Sequence, residues 1–171
     1  MAKRISAAAA MLVIGLGLVF APAGFLTASQ AAAEKARPPV EPSPANKCPV
    51  CGMFVAGHKD FLAAVVFRDG ATAYFDGCKD MFLFLFEIPK YAPGRGRADV
   101  ASIWATDYYR LAWIDGATAF FVRGSDVLGP MGRELIPFGN EAEAKEFLKD
   151  HKGESLLRFA EVTPDVLKVL D

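Results

Sequence analysis

Two cysteines and a methionine lie close together near residue 50. Cys48 and Cys51 are separated by two residues, and Met53 follows two positions after the second cysteine. Thiolates and thioethers are polarisable ligands that favour soft ions such as Cu(I) over hard ions such as Mg²⁺ or Ca²⁺. Gly52 permits a tight backbone turn, which would let the sulfur atoms of Cys51 and Met53 approach one ion. The segment therefore predicts a binding site for a soft metal ion.

Two further residues carry sulfur in the remaining sequence at places where it could serve such a site. Met131 lies between Pro130 and Gly132 in a loop-like stretch that offers a methionine little core packing. It is a candidate for a third soft-sulfur ligand. Cys78 lies at the start of an apolar helix and is either a small core residue, a further ligand or a partner in disulfide exchange.

Three other interpretations of the cysteines remain open at this point. In an oxidising compartment, Cys48 and Cys51 could form a structural disulfide. Their C-x-x-C spacing also occurs in thioredoxin-type redox pairs, but such a pair needs a helix that begins at the first cysteine, and here proline-rich sequence precedes the motif. A Cys3His zinc site is the third interpretation, although the sequence has no second closely spaced pair. Its ligands would be Cys48, Cys51, Cys78 and His58.

The N-terminal region has the features of a Sec signal peptide. Lys3 and Arg4 give it a positive start, and an apolar stretch with small residues at its end follows. We expect cleavage after Ala31 or Ala33, which makes residues 1–33 the signal peptide and the mature protein periplasmic. A retained membrane anchor is the alternative, because the apolar stretch is about as long as the ~20 residues that span a bilayer.

The composition is typical of one globular domain, or of two small domains that share a core. The chain has 171 residues, of which 53% are hydrophobic, and a formal net charge of −1. Loss of the two cations in residues 1–33 leaves 17 of the 19 basic residues against 20 acidic ones, so the mature chain has a net charge of −3. A mildly acidic chain is poorly suited to nucleic acid or to anionic lipid as a partner.

An α+β fold is predicted for the residues after the signal peptide. Strands at residues 61–67 and 72–75 are joined by an Asp-Gly turn, which is typical of a hairpin. A helix that Asp76 could cap comes next, and residues 103–109 form the following strand. This part of the chain is therefore predicted to form a ββαβ unit.

The second half repeats this order of elements. Strands at residues 119–122 and 135–138 precede an amphipathic helix that Asn140 caps, and residues 155–162 supply the closing strand. We therefore predict two tandem ββαβ modules; a chance similarity between the halves of an α+β chain is the alternative. The predicted signal peptide, proline-rich linker, first module and second module comprise residues 1–33, 34–46, 47–116 and 117–171.

Three segments of the sequence together carry a family resemblance. They are Cys51-Gly52-Met53, the FDG-KDM pattern that ends at Met81, and the GS, GPMG and PF pattern from residue 124 to residue 147. In combination they resemble the NosL family, the accessory proteins of nitrous oxide reductase maturation, from about Cys48 to the C-terminus. The resemblance implies a periplasmic chaperone for one Cu(I), with two ββαβ modules similar to the fold of the organomercurial lyase family.

The resemblance also implies particular ligands. The family's cysteine and its two methionines fall on Cys51, Met53 and Met131. Cys48 and Cys78 lie outside the minimal motif, so they would be additional ligands, provide a second mode of metal binding or form a regulatory disulfide. Family members are commonly lipoproteins, whereas no cysteine for lipid attachment follows the apolar stretch of this chain.

Copper carriage would require a partner protein that accepts the ion, such as nitrous oxide reductase. No enzymatic activity is expected, because the sequence has no G-x-S-x-G, P-loop, H-E-x-x-H or dinucleotide-binding motif. The alternative function is a periplasmic binding module that a disulfide or zinc stabilises and that transfers no copper.

Overall fold

The computed structural model describes residues 37–170. The predicted signal peptide and the first residues of the predicted linker lie outside this range. Within it, no helix combines the length and the apolar character that crossing a bilayer requires.

The first half of the described chain folds into a four-stranded sheet and two helices. These elements are β1 (Ala63–Phe67), β2 (Thr72–Phe75), α1 (Cys78–Phe86), α2 (Ile88–Tyr91), β3 (Val100–Asp107) and β4 (Ala112–Asp115). The strands are antiparallel in the order β2-β1-β3-β4. Residues 37–46 contact this sheet, since the hydroxyl of Tyr74 donates to the backbone oxygen of Val40 at 2.7 Å.

The second half forms a three-stranded sheet with one helix between its strands and one after them. These elements are β5 (Phe120–Gly129), β6 (Gly132–Phe138), α3 (Glu141–Asp150), β7 (Ser155–Arg158) and α4 (Pro164–Lys168). The strands are antiparallel in the order β6-β5-β7. The cap of α3 agrees with the sequence, because Oδ1 of Asn140 accepts the backbone N–H groups of Ala142 and Glu143 at 2.8 and 3.3 Å.

Both sheets place the first strand of their set between the second and the third. Strand β1 lies between β2 and β3, and β5 lies between β6 and β7. The prediction of an α+β fold is confirmed by this mixture of antiparallel sheets and helices. The division into tandem modules at residues 47–116 and 117–171 remains a prediction.

The hairpin of β5 and β6 is longer than the sequence predicts. A loop is predicted between residues 122 and 135, but the two strands continue to pair as far as Gly129 and Gly132. The polar run after Arg123 breaks the apolar alternation that indicates a strand, and the pairing register shifts at the same place. Met131 therefore lies in the two-residue tip of a hairpin.

Helix α1 is buried between the two sheets, as its almost entirely apolar sequence predicts. Its Phe84 ring lies 5.1 Å from the Phe75 ring of the first sheet. On the other side, its Phe82 ring lies 5.2 Å from the Phe121 ring of the second sheet. Full burial of one such side chain contributes about 1.5–3 kcal/mol to the free energy of unfolding. These contacts therefore hold α1, and the residues of its first turn, in place between the sheets.

Candidate metal site

Four side chains converge where the N-terminal loop meets the start of α1. Cys48 and Cys51 come from the loop before β1, Asp76 follows β2 directly, and Asp80 lies in the first turn of α1. One potential ligand atom from each residue lies within 4.8 Å of the others. The thiol of Cys48 donates to Oδ2 of Asp80 at 3.1 Å, and the thiol of Cys51 donates to Oδ1 of Asp76 at 3.2 Å. The four residues are called the Cys2Asp2 cluster below.

The loop closes on itself through backbone hydrogen bonds. The N–H of Cys48 donates to the oxygen of Met53 at 2.8 Å, and the N–H of Gly52 donates to the oxygen of Cys48 at 2.9 Å. Gly52 has a φ of +81°, in the left-handed region that glycine adopts at little cost. The tight turn therefore presents both cysteines to the same side of the molecule, towards the two aspartates.

Asp76 does not cap α1, and the prediction that it could is wrong. Gly77 occupies the cap position, and as a glycine it has no side chain that could accept a hydrogen bond from the first turn. The Asp76 carboxylate is instead buried against Cys51, and its Oδ2 has no hydrogen-bond partner in the described part of the chain. A buried polar atom without a partner is costly, and a bound cation would remove that cost.

Asp80 is the second carboxylate that the sequence interpretation missed as a site residue. It is buried in the first turn of α1, where the helix dipole favours a negative charge. An aspartate before or at the start of a helix is usually a capping residue, so neither acid stands out in the sequence. The available signal is that both belong to the FDG-KDM pattern that supports the family resemblance.

Burial keeps both thiols of the Cys2Asp2 cluster protonated near neutral pH. Removal from water raises the pKa of Cys51 to about 12, and the neighbouring carboxylates of Asp80 and Asp76 act in the same direction. Burial likewise raises the pKa of Cys48 far above its ordinary value. A metal ion that binds as a thiolate complex must therefore displace protons from the site.

The structure brings some of the predicted ligands together and separates others. Met53 is half-buried, two residues beyond Cys51, and its backbone oxygen closes the loop. Met131 is 45% exposed, and its backbone oxygen accepts a hydrogen bond at 3.4 Å from Nζ of Lys79. Because Lys79 precedes Asp80 in α1, the hairpin tip meets the same helix turn that supplies the cluster.

The third cysteine and the histidine of the proposed zinc set have a different environment. Cys78 is 1% exposed within the main hydrophobic core. Cys78 and His58 both lie outside the Cys2Asp2 cluster. Residues 37–170 contain no other group of three or more His, Cys, Asp or Glu side chains close enough to share a metal ion. All three cysteines, each within the described range, are free thiols. The structure thus offers two thiols and two carboxylates at one place, rather than three thiols and an imidazole.

Comparisons with known proteins give a consistent result. A family model described as NosL matches residues 39–167. The crystal structure of the copper chaperone NosL from Shewanella denitrificans is 24% identical in sequence and has a TM-score of 0.60. The match covers 72% of this chain and 93% of that one. The solution NMR structure of the apo-NosL protein from Achromobacter cycloclastes is 23% identical and has a TM-score of 0.44, and the match covers 61% of this chain and 87% of that one. No curated protein matches the chain. The crystal structure shares the fold.

Proposed function

Because the chain belongs to the NosL family, we propose that it is a periplasmic copper chaperone that binds Cu(I) and delivers it to a client such as nitrous oxide reductase. The fold it shares with a structure named a copper chaperone supports this function. The observation that carries the proposal is the Cys2Asp2 cluster, whose potential ligand atoms lie within 4.8 Å of one another. Two thiols in such proximity suit a soft ion.

The proposed Cu(I) ligands are Cys51, Met53 and Met131, with Cys48 as an additional thiolate. Cys51 is the half-buried member of the pair, so an ion can reach its sulfur from solvent. Met53 follows it in the same tight loop, and Met131 is exposed at the hairpin tip. Thioethers are neutral and exchangeable, which suits an ion that must leave again. Cys48 is buried, so it would hold the ion from the side of the protein interior.

Asp76 and Asp80 contribute negative charge and proton acceptors to this site. Each accepts a hydrogen bond from one thiol in the metal-free protein. When a cation replaces the thiol protons, those hydrogen bonds are lost, and the carboxylates face the bound charge instead. Direct contact of the unpartnered Oδ2 of Asp76 with the ion would then satisfy this buried oxygen, which would favour binding.

Cys78 was also predicted as a ligand. Its burial in the core and its place outside the Cys2Asp2 cluster support the alternative role, that of a small packing residue. A Cys78→Ala variant distinguishes the two roles, because the loss of a ligand would weaken Cu(I) binding and the loss of a packing group would lower only stability.

The proposed activity is binding and transfer without catalysis. A site that is open on the side of Cys51 and Met131 lets a ligand from the acceptor protein join the ion before a donor sulfur leaves. Copper then passes between proteins without release into water. We propose export by a signal peptide at residues 1–33, followed by action in the periplasm.

A zinc-stabilised binding module is the second candidate function. It is favoured by the composition of the cluster, since two thiolates and two carboxylates also form an acceptable tetrahedral set for Zn²⁺. This candidate predicts a closed site that keeps its ion when an acceptor protein is added.

The test is anaerobic competition for Cu(I) between the protein and a chromophoric chelator. Wild-type protein should take up one equivalent of Cu(I), and Cys51→Ser should abolish stoichiometric uptake, with Cys78→Ala as the matched cysteine control. Loaded protein should then transfer copper to metal-free nitrous oxide reductase. Cu(I) affinity that is unchanged in Cys51→Ser, or an ion that is retained in the presence of every acceptor, would overturn the proposal.

A further inference from the structure

A buried glutamate connects the β5–β6 hairpin to the first turn of α1. Glu134 lies in β6, is 4% exposed, and directs its carboxylate at the helix. Its Oε1 accepts the backbone N–H of Lys79 at 2.5 Å and the N–H of Leu135 at 2.8 Å. In the opposite direction, Nζ of Lys79 donates to the backbone oxygen of Met131 at 3.4 Å. Two reciprocal contacts thus join the hairpin to the helix turn that carries Asp80.

Two glycines leave the room that this carboxylate occupies. A Cβ atom at Gly77 would overlap the Glu134 carboxylate, and one at Gly129 would come within 3.2 Å of its Cβ. Gly77 has an extended φ of −170°, which any residue adopts, so its backbone does not require a glycine. The close approach of Glu134 is therefore what excludes a side chain at Gly77.

The segment just before the hairpin tip is held to the end of α3, because the N–H of Asp126 donates to the backbone oxygen of His151 at 2.9 Å and Val127 packs against the smaller core cluster. The tip itself is held less closely. Beyond the register shift, strand pairing is limited to Leu128 with Arg133 and Gly129 with Gly132. Leu128 and Met131 are both exposed rather than packed in the core. The contacts of Glu134 and Lys79 are therefore the described ones that join the tip to the first turn of α1.

We propose that Glu134 is a positioning residue that holds the thioether of Met131 over the Cys2Asp2 cluster. The inference rests on the proposed Cu(I) function and extends it to a residue that supplies no ligand. A buried carboxylate is a costly way to pack a strand against a helix. Here it fixes the hairpin tip relative to α1, so that the sulfur of one half of the chain meets the thiols of the other.

The decisive comparison is between two replacements at residue 134. Burial raises the pKa of Glu134 to about 8, so Glu134→Gln is a close neutral replacement near neutral pH and keeps an oxygen for the Lys79 N–H. Glu134→Leu keeps the volume and removes the acceptor. The number of sulfur atoms bound to Cu(I), measured by X-ray absorption, should fall by one in Glu134→Leu, as in Met131→Leu, and remain unchanged in Glu134→Gln.

Affinity should follow the same pattern. Loss of a residue that orients a ligand weakens metal binding roughly 10- to 100-fold. Glu134→Leu and Met131→Leu should each weaken Cu(I) binding by a similar factor, and the double variant should be no weaker than either. The proposal would be overturned if Cu(I) had as many sulfur ligands in Glu134→Leu as in wild type. It would also be overturned if the loss of affinity in the double variant were the product of the two single losses. So would a Met131→Leu variant that binds Cu(I) as wild type does, although the proposed copper function would then survive on Cys51.

A second variant covers the case in which Glu134→Leu does not fold. Gly77→Ala displaces the carboxylate by steric overlap, and Gly57→Ala is its control because a Cβ there meets nothing within 4 Å. In Gly77→Ala the Met131 sulfur should no longer be a ligand of Cu(I), whereas in Gly57→Ala it should remain one.

If wild-type protein fails to bind Cu(I), the proposed function is wrong, and hydrogen exchange at residues 129–132 then tests the positioning role alone. Faster exchange in Gly77→Ala than in Gly57→Ala supports it, and equal exchange rejects it.

Discussion

The thiol of Cys48 lies 3.1 Å from the carboxylate of Asp80, although 32 positions separate the two residues in the sequence. This contact joins the N-terminal loop to α1, which packs against both sheets. The loop also packs into the main hydrophobic core, because Cys48 and Val55 are buried members of that core and Val50 packs against it. Attachment to α1 gives its two thiols a fixed position relative to the rest of the protein.

Loss of one thioether should weaken Cu(I) binding without abolishing it. We expect Met53→Ala and Met131→Ala each to lower the affinity on the order of tenfold, or about 1.4 kcal/mol, because a neutral sulfur ligand is removed while the thiolates remain. Chelator competition measures the effect. Met81→Leu is the matched control, since Met81 is fully buried in the core. Equal affinity in Met53→Ala and Met81→Leu would show that Met53 is not a ligand.

Replacement of Asp76 should have opposite effects on the metal-free and the loaded protein. Asp76→Asn removes a buried carboxylate oxygen that has no partner among the described residues. The free energy of unfolding of the metal-free protein should rise by roughly 1 kcal/mol, because a neutral amide is less costly to bury than an unpartnered carboxylate, whereas Cu(I) affinity should fall because the oxygen that would contact the ion is lost. Urea unfolding and chelator competition measure the two quantities. Asp165→Asn, at an exposed carboxylate in α4, is the control. It should leave Cu(I) affinity unchanged, and it should change stability only through the loss of the contact with Lys168. A fall in both quantities for Asp76→Asn would contradict the assigned role.

Copper affinity should rise with pH through the neutral range. The pKa of Cys51 is raised to about 12 and that of Cys48 is raised as well. Both thiols are therefore protonated in the metal-free protein below these values, and binding releases a proton for each thiolate that forms. The affinity should change on the order of tenfold per pH unit for each such proton. The number of protons released when Cu(I) is added can be measured in weakly buffered solution. Cys48→Ser should release about one proton fewer than wild type if Cys48 is a ligand. A pH-independent affinity would exclude thiolate binding.

The packing of α1 should dominate the stability of the fold. Phe82→Ala removes a fully buried ring that contacts Phe121 of the second sheet, so we expect a loss of about 3–5 kcal/mol in the free energy of unfolding. Phe86→Ala, in the same helix but 42% exposed, should cost clearly less. Chemical denaturation measures both. A similar loss for the two variants would mean that α1 is not the element that joins the sheets.

Local signals in the sequence predicted much of the fold. The Asp-Gly turn, the Asn140 cap and the apolar α1 each depend on neighbouring residues, so their chemistry is visible in a short window. The paired thiols of Cys48 and Cys51 are visible for the same reason. The carboxylates that face them are not, because contacts across 25 and 32 positions arise only when α1 has packed between the sheets.

The hairpin shows the same limit for secondary structure. Its strands continue through a register shift, where the chain no longer alternates between apolar and polar residues. Cross-strand pairing maintains the extended conformation there, and pairing is a tertiary property that a single strand's pattern does not carry. The position of Met131 at a hairpin tip, and the part Glu134 plays in orienting it, follow from that pairing.

The order of the cluster residues along the chain has a consequence for the proposed export through an N-terminal signal peptide. Cys51 is 25 positions ahead of Asp76, and Cys48 is 32 positions ahead of Asp80. In such an export both thiols would reach an oxidising compartment before the segment that carries Asp76 and Asp80 has emerged. Until that segment folds over them, the two thiols would be accessible to oxidants and could form a disulfide with each other, so the yield of protein able to bind copper would depend on whether folding precedes oxidation.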